Sequence, residues 1–302
     1  MALSGFEYGR SINFSDLSSN EQKEFLHCIN YKGHIDSFGD MTIYNTDFIS
    51  PNKGKTDLQN IETLSEIYQL LSRGKGAFGI FNHPKGYPNG KGNNFNNFEI
   101  FPPAIEAMVG LEVYNGGSAY FKHCDFRQEF ILALQNGWRV GAMYNPDSAW
   151  PNWGDEIKEN CPMGFTMVLG FDRNKELILS KDSLFSQLRK RKFYGSFSPK
   201  LLLEMQTTNG ATMGDTISVF SPVTLSVRAT GSAVSEIKLI GGTVGNKNQK
   251  IETIIYQPGT IINFIINPPA NSRTDFYFIE LIQDGKFVAH SSPIWVRLLK
   301  NN

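Results

Sequence analysis

The sequence predicts an α/β domain followed by an antiparallel β-sandwich, and two observations support this prediction. In the first part of the chain, short apolar strands alternate with amphipathic helices, which is typical of parallel strands covered by helices. After about residue 205, strand patterns follow one another with no helical pattern between them. We therefore expect an α/β domain over residues 1–206 and a β-sandwich domain over residues 215–302.

Three helices are predicted in the α/β part. Over residues 57–73, leucine and isoleucine recur at steps of three and four residues, and Gly74 ends the pattern. A second helix is predicted over residues 119–137, where Asn-Gly closes it. A third is predicted over residues 180–192, with Ser180 as its N-cap.

Four strands are predicted between and after these helices. Each is a short, nearly continuous apolar run, as expected for a strand that is buried on both faces. The runs are residues 76–84, 107–115, 138–145 and 164–170.

The last third of the chain reads as strands joined by turns. Examples are "ISVFSPVTLSVRAT", "KIETIIY", "TIINFII" and "TDFYFIELIQ", and Asp284-Gly285 is a hairpin turn signal. The Gly- and Thr-rich stretch 207–215 is the expected junction between the domains.

Composition excludes some function classes. The chain has 302 residues with 29 basic and 29 acidic side chains, so it has no electrostatic reason to bind nucleic acid or an anionic membrane. No apolar run approaches the length of a bilayer span, and no signal peptide is visible. Three cysteines without metal-type spacing suggest neither a zinc knuckle nor a disulfide framework. Compartment and oligomeric state stay open.

Polar residues gather just after the predicted strands, where parallel α/β folds place their sites. His83 follows a buried strand in "FNHPKG" and is either a metal ligand or a histidine bonded to backbone. His34, in "YKGHIDSF", follows a glycine that would let its imidazole approach a pocket. The other three histidines, including His290 in the sandwich, are interpreted as structural or surface residues.

Three acidic residues are candidates. Asp147 follows Asn-Pro at a strand end and is the best-placed carboxylate. Glu112 lies within an apolar strand, so it either faces a pocket or pairs with a basic group, because isolated burial of a charge is very costly. Glu7 follows Gly-Phe near the start, where a single glutamate is usually a surface residue.

Imidazole and carboxylate ligands of this kind suit Zn, Mn or Fe, and metal-assisted hydrolysis is the expected chemistry. Nucleophile-elbow, P-loop and dinucleotide motifs are missing from the sequence. The expected rim of the site consists of amides, one carboxylate and two aromatics that either pack or stack on substrate: Asn82, Glu112, Asn115, Asn145, Trp150 and Trp153.

Seven short blocks, in order, resemble the PHP (polymerase and histidinol phosphatase) superfamily, in particular its branch of metallohydrolases with a C-terminal β-sandwich. They are "GFEYG", "GHIDSF", "FNHPKG", "GLEVYNGG", "ALQNGWRVGAMYNPDSA", "LFSQLRKRKFYGS" and "SSPIWV". The resemblance implies a distorted or partial β/α barrel with a divalent-metal cluster that hydrolyses phosphoesters, in a family whose members are often secreted. By position it assigns metal ligands to Glu7, His34, His83 and Asp147.

The sequence departs from the family pattern in ways that bear on activity. The opening His-x-His strand and Asp-His motif are absent, and the last motif reads Asp147-Ser148-Ala149 where a histidine is expected. We therefore expect a degenerate site with at most one ion and little or no phosphoesterase activity. Two alternatives stay open: an active hydrolase completed by residues outside this chain, and a binding module that uses the sandwich.

Overall fold

The computed structural model describes residues 3–5, 10–12, 29–35, 39–45, 63–74, 76–84, 94–116, 125–145, 164–170, 181–268 and 273–299. Within these ranges the fold is mostly β, with eighteen strands and four α-helices. Among the described helices, none is long and apolar enough to cross a membrane.

The first large unit is a five-stranded mixed sheet whose strands lie side by side in chain order. The first two pairs are antiparallel, whereas β5–β6 and β6–β7 are parallel. The strands are β3 (Ile29–Ile35), β4 (Gly39–Tyr44), β5 (Phe78–Asn82), β6 (Met108–Asn115) and β7 (Gly141–Asn145). Before it, β1 (Leu3–Gly5) and β2 (Arg10–Ile12) pair with each other.

Helices cover this sheet, and their ends follow local chemistry. In α1 (Leu64–Arg73), the Thr63 side chain accepts from the Glu66 N–H and the Glu66 carboxylate accepts from the Thr63 N–H, forming a capping box. A left-handed turn, α2 (Asn94–Phe98), follows β5, and a 3₁₀ turn spans Pro102–Ala104. The other two helices are α3 (Arg127–Asn136) and α4 (Lys181–Arg189).

The second large unit is an eight-stranded sheet built around β16. One edge of β16 pairs with β13 along its length, and the other edge pairs with β17 and then with β18. Its strands are β8 (Phe165–Val168), β9 (Phe193–Ser196), β11 (Thr216–Val219), β13 (Glu236–Thr243), β14 (Gln249–Ile255), β16 (Thr274–Gln283), β17 (Lys286–Ser291) and β18 (Ile294–Leu298).

A three-stranded antiparallel sheet completes the sandwich. It has the order β10 (Leu202–Thr207), β12 (Val223–Thr230), β15 (Ile262–Ile266). Leu225 and Phe264 from this sheet share one buried core with Ile237 and Ile279 from the eight-stranded sheet. Two sheets packed face to face in this way bury the alternate residues of each strand.

The opposite face of the eight-stranded sheet packs on the five-stranded sheet and its helices. Ile240, Phe278 and Trp295 belong to the same buried cluster as Leu111 and Phe130. The rings of Phe130 and Phe278 meet edge to face, with centroids 5.3 Å apart. The described residues thus form stacked layers that share continuous apolar contact.

The predicted fold class, an α/β domain with a PHP-like β/α barrel, is wrong, because the described part of the chain is mostly β. The described strands form separate sheets and none of these sheets closes into a barrel. Only β5, β6 and β7 are consecutive parallel strands, because β4 joins them antiparallel and β8 lies in the other large sheet, antiparallel to β9. A β/α barrel requires a closed ring of parallel strands, and this pairing does not provide one.

Strand pairing also crosses the stretch where the sequence places its domain junction. β8 and β9 precede residue 206 but belong to the eight-stranded sheet, since β9 pairs with β17. β10 also begins before residue 206 and pairs with β12. The boundaries 1–206 and 215–302 themselves stay a prediction.

Candidate functional site

A buried carboxylate draws the ends of three parallel strands together. Glu112 Oε2 accepts hydrogen bonds from the His83 backbone N–H at 2.7 Å and from Asn115 Nδ2 at 3.0 Å. Glu112 Oε1 accepts from Asn145 Nδ2 at 2.6 Å. Residues from the carboxyl ends of β5, β6 and β7 therefore form one cluster, which we call the strand-end cluster: Asn82, His83, Glu112, Asn115 and Asn145.

The strand-end cluster continues an apolar face of the five-stranded sheet. Ile80 of β5 and Met143 of β7 lie on this face and pack with Leu184 and Leu188 of α4. Because side chains alternate along a strand, Asn82 and Asn145, two residues further on, lie on the same face. The face thus changes from apolar to polar toward the carboxyl ends of the strands.

A β-bulge in β6 places two cluster residues on one face. Glu112 pairs with Met143 and Tyr114 pairs with Tyr144, so Val113 is an extra residue without a partner in β7. In a regular strand, residues three apart point to opposite faces. The bulge shifts this alternation by one, so Glu112 and Asn115 lie on the same face and hydrogen-bond to each other.

Asn82 presents a buried acceptor to this edge of the sheet. Its amide Nδ2 donates to Thr42 Oγ1 on β4 at 2.8 Å. Its Oδ1 is buried and has no hydrogen-bond partner in the described structure, although the residue is only 3% exposed. Buried polar atoms are nearly always satisfied, so an orphan of this kind requires an explanation.

His83 is buried and holds an unusual backbone conformation. Its φ angle is +24°, outside the regions that side-chain-bearing residues normally adopt. Conformations of this kind persist only where surrounding contacts enforce them, and here the His83 N–H donates to Glu112.

Burial raises the pKa of the Glu112 carboxyl above its ordinary value, and the nearby His83 together with the Asn145 and Asn115 amides offsets part of the rise. A buried acid with a perturbed pKa beside a histidine at a strand end is a candidate functional group on physical grounds. Since three donors already bind its oxygens, Glu112 is better suited to orienting the asparagine amides than to binding a ligand itself.

The structure covers the other predicted site residues only in part. Glu7, Asp147, Trp150 and Trp153 lie outside the described residues. His34 lies in β3 with its backbone opposite Asp40, and the backbone of Asp40 is in turn opposite Asn82. Within the ranges that the structure describes, no three His, Cys, Asp or Glu side chains come together as a metal site.

A second buried polar chain was not predicted from the sequence. His290 Nδ1 lies 2.5 Å from the Tyr144 hydroxyl, and His290 Nε2 lies 3.2 Å from Glu280 Oε1. Arg127 Nε donates to the same carboxylate oxygen. This Tyr144–His290–Glu280–Arg127 chain crosses from β7 through the eight-stranded sheet to α3.

The electrostatics of this chain favour an ionised carboxylate. Burial opposes ionisation of Glu280, but His290 and Arg127 outweigh it and lower its pKa to about 2. Because an ionised carboxylate only accepts hydrogen bonds, the Nε2–H of His290 donates to Glu280. Burial raises the pKa of Tyr144 well above its ordinary value, so this phenol keeps its proton.

A sequence signal for this pair did exist. The Asp284-Gly285 turn joins β16 to β17, and a regular hairpin would place Glu280 opposite Ala289. An extra residue, Val288, shifts the register so that Glu280 lies opposite His290. The turn could have indicated proximity, but only the bulge brings the two side chains face to face.

Comparisons with known proteins do not identify a family for this chain. No family model matches the chain, and no curated protein matches it. Among solved structures, one match is an engineered protein from a structural genomics consortium, with 13% identity over 32% of this chain and a TM-score of 0.25. The matched region spans 20% of that protein. A likeness this weak supports no conclusion about fold or function.

Proposed function

We propose that the strand-end cluster is part of a small-molecule site of the metal-dependent hydrolase type, with an incomplete ligand set. It would bind at most one divalent ion, Zn²⁺, Mn²⁺ or Fe²⁺, and hydrolyse phosphoesters at little above the background rate. The orphaned, buried Oδ1 of Asn82 beside His83 supports this proposal most directly. The sequence resemblance described above points to the same class of chemistry.

The described residues fit a single ion better than a cluster. An amide oxygen and an imidazole are acceptable ligands for divalent metals, and Asn82 Oδ1 and His83 would supply them. Glu112 would not bind the ion itself but would support the site, since its hydrogen bonds hold the His83 backbone and the Asn115 and Asn145 amides in place.

The carboxyl edge of parallel strands hosts ligand sites in open α/β sheets as well as in barrels, so the site does not require a closed barrel. A divalent ion bound at this edge would lower the pKa of a coordinated water and polarise an ester oxygen. Glu112, buried and already bonded to three donors, would keep the surrounding amides aimed at the substrate. A single ion cannot clamp both the attacking and the leaving oxygen, which explains the low turnover we expect.

The test compares Mn²⁺ and Zn²⁺ binding by calorimetry in four proteins: wild type, Asn82→Ala, Asn82→Asp and Asn248→Ala. If Asn82 Oδ1 is a ligand, Asn82→Ala weakens binding about tenfold or more, and Asn82→Asp strengthens it because a carboxylate replaces a neutral oxygen. Asn248, exposed in the loop between β13 and β14, is the matched control and should not change the affinity. A gain of affinity in Asn82→Asp cannot result from damage to the fold.

Two outcomes would refute parts of the proposal. If wild type binds neither ion, or if both Asn82 variants bind as wild type does, the site is not a metal site. If wild type holds two or more ions and hydrolyses an aryl phosphate well above background, with turnover lost in His83→Ala, the site is a working hydrolase completed by residues outside the cluster.

A further inference from the structure

The β15 strand is an open edge of the sandwich. It pairs with β12 on one side, from Val223 opposite Ile266 to Val227 opposite Ile262. On its other side, the described part of the chain provides no pairing strand. The main-chain groups that point to that side can therefore pair with another strand.

The outward face of this edge is apolar. Ile261 is 61% exposed and Ile265 is 57% exposed. Phe264 and Ile266, the two neighbours of Ile265, point into the sandwich core. Asn263 lies between the two exposed isoleucines on the outward face, and its Oδ1 accepts from Ser226 Oγ at 2.7 Å. Its amide Nδ2 is left to donate outward.

This edge also lacks the charges that usually protect edge strands. From Gln257 to Ser272 the sequence QPGTIINFIINPPANS contains no charged residue. Soluble proteins commonly place lysine or another charge on an exposed edge to prevent pairing with a second chain. Prolines at 258 and 268 bound the stretch and limit any such pairing to a short, defined segment.

We propose that β15 pairs with β15 of a second copy of this chain, antiparallel and two-fold symmetric, with Asn263 at the axis. This register places Ile261 of each copy opposite Ile265 of the other, so the four side chains form two cross-strand apolar contacts. Two-fold pairing brings residues near the axis against their own copies, and a charge-free strand tolerates this without like-charge repulsion. Two three-stranded sheets would then join into one six-stranded sheet.

The pairing is independent of the strand-end cluster, which lies on the five-stranded sheet. A contact of one short strand per copy is smaller than the ~800 Å² per partner of a standard stable interface. We therefore expect a weak dimer whose population rises with protein concentration, not an obligate one.

The first test is sedimentation velocity of the full chain over a wide concentration series. Ile265→Lys places a positive charge on the outward face near the axis and should raise the dissociation constant at least about tenfold. Ile255→Lys is the matched control, because Ile255 is 85% exposed on β14, an edge strand of the eight-stranded sheet. Both positions are exposed, so circular dichroism should show that both variants remain folded.

The second test is cross-linking. Asn263→Cys would place two thiols across the axis at the Cα separation of an antiparallel pair, which a disulfide can span. Mild oxidation should give a disulfide-linked dimer for Asn263→Cys and not for Thr253→Cys, an exposed control on β14. The wild type, with its three native cysteines, sets the background.

The proposal is overturned if wild type stays monomeric at every concentration. It is also overturned if Ile255→Lys, and not Ile265→Lys, prevents association, because β14 would then be the interface. Cross-linking through Thr253→Cys and not through Asn263→Cys would likewise place the interface on β14 and overturn the proposal.

Discussion

At the scale of single residues, Glu112 shows how a buried charge is tolerated. Isolated burial of a carboxylate is very costly, and its pKa is raised accordingly. Three donors from three strand ends compensate part of this cost. The same bonds fix the backbone of His83 and the two asparagine amides, so one residue stabilises the fold and arranges the candidate site.

Removing this carboxylate should be strongly destabilising. Glu112→Ala leaves one backbone N–H and two amide groups without their acceptor, and we expect the free energy of unfolding to fall by about 3–5 kcal/mol. The measurement is urea denaturation followed by circular dichroism. Glu204→Ala, which removes a half-exposed ion pair with Arg228, is the control and should cost about 0–1 kcal/mol. Equal losses in the two variants would contradict the role assigned to Glu112.

At the scale of elements, β7 packs unusually close to β9. A Cβ at Gly195 would lie 2.1 Å from Cδ1 of Tyr144, and one at Gly141 would lie 2.2 Å from Ser292 Oγ. Glycine at these two positions lets the five-stranded and eight-stranded sheets approach each other. The Tyr144 hydroxyl reaches His290 in this arrangement.

Gly195→Ala should therefore push the Tyr144 ring away and strain the contact between the two sheets. We expect a loss of about 1–3 kcal/mol, the usual cost of overpacking a core, measured as a lower urea midpoint. Gly210→Ala is the comparison. Nothing lies within 4 Å of its added Cβ, so the substitution acts only through its backbone φ of +85°, at a cost of about 1–2 kcal/mol. A near-neutral Gly195→Ala would show that the ring is not packed against this strand.

At the scale of the whole molecule, the Tyr144–His290–Glu280–Arg127 chain links the two large sheets. It adds polar contacts to the apolar layer in which Phe278 and Trp295 meet residues of the five-stranded sheet. All of its members except Arg127 are almost fully buried. Loss of these hydrogen bonds should thus weaken the contact between the two large sheets, not only the structure of one loop.

This hydrogen-bonded series of side chains predicts how the stability of the protein depends on pH in acid. The pKa of Glu280 is about 2 in the folded protein against an ordinary value of 4.5. The ionised carboxylate therefore stabilises the folded protein at pH values above 4.5. That stability is lost as pH falls through the window from 4.5 to about 2, and it amounts to on the order of 3 kcal/mol. Urea denaturation across this pH range should show the loss in wild type and a much shallower slope in Glu280→Gln.

Glu112 should have the opposite sign. Its folded pKa is raised, so its contribution to stability is fully present below the ordinary carboxyl pKa and is lost as pH rises through the folded value. Through Glu112, wild type should therefore gain stability as the pH falls, and Glu112→Gln should lack this gain. If Glu112→Gln and Glu280→Gln changed the pH slope in the same direction, one of the two assignments would be wrong.

Local sequence patterns determined most of the elements near the candidate site. Continuous apolar runs correctly indicated β5, β6 and β7, and three- and four-residue periodicity indicated α1. Strand ends indicated where polar side chains would gather, and His83, Glu112, Asn115 and Asn145 do lie together. Their role as a site stays a prediction, as do the assignments of Glu7, His34 and Asp147.

Only the tertiary structure decided how the sheets are assembled. The run 164–170 reads like another buried parallel strand, yet β8 pairs antiparallel with β9 in the second sheet. Bulges at Val113 and Val288 set which side chains meet, and one extra residue reverses every face that follows it. Periodicity reports which residues are buried, but it does not report which strand lies beside them, because pairing depends on contacts between residues far apart in the chain.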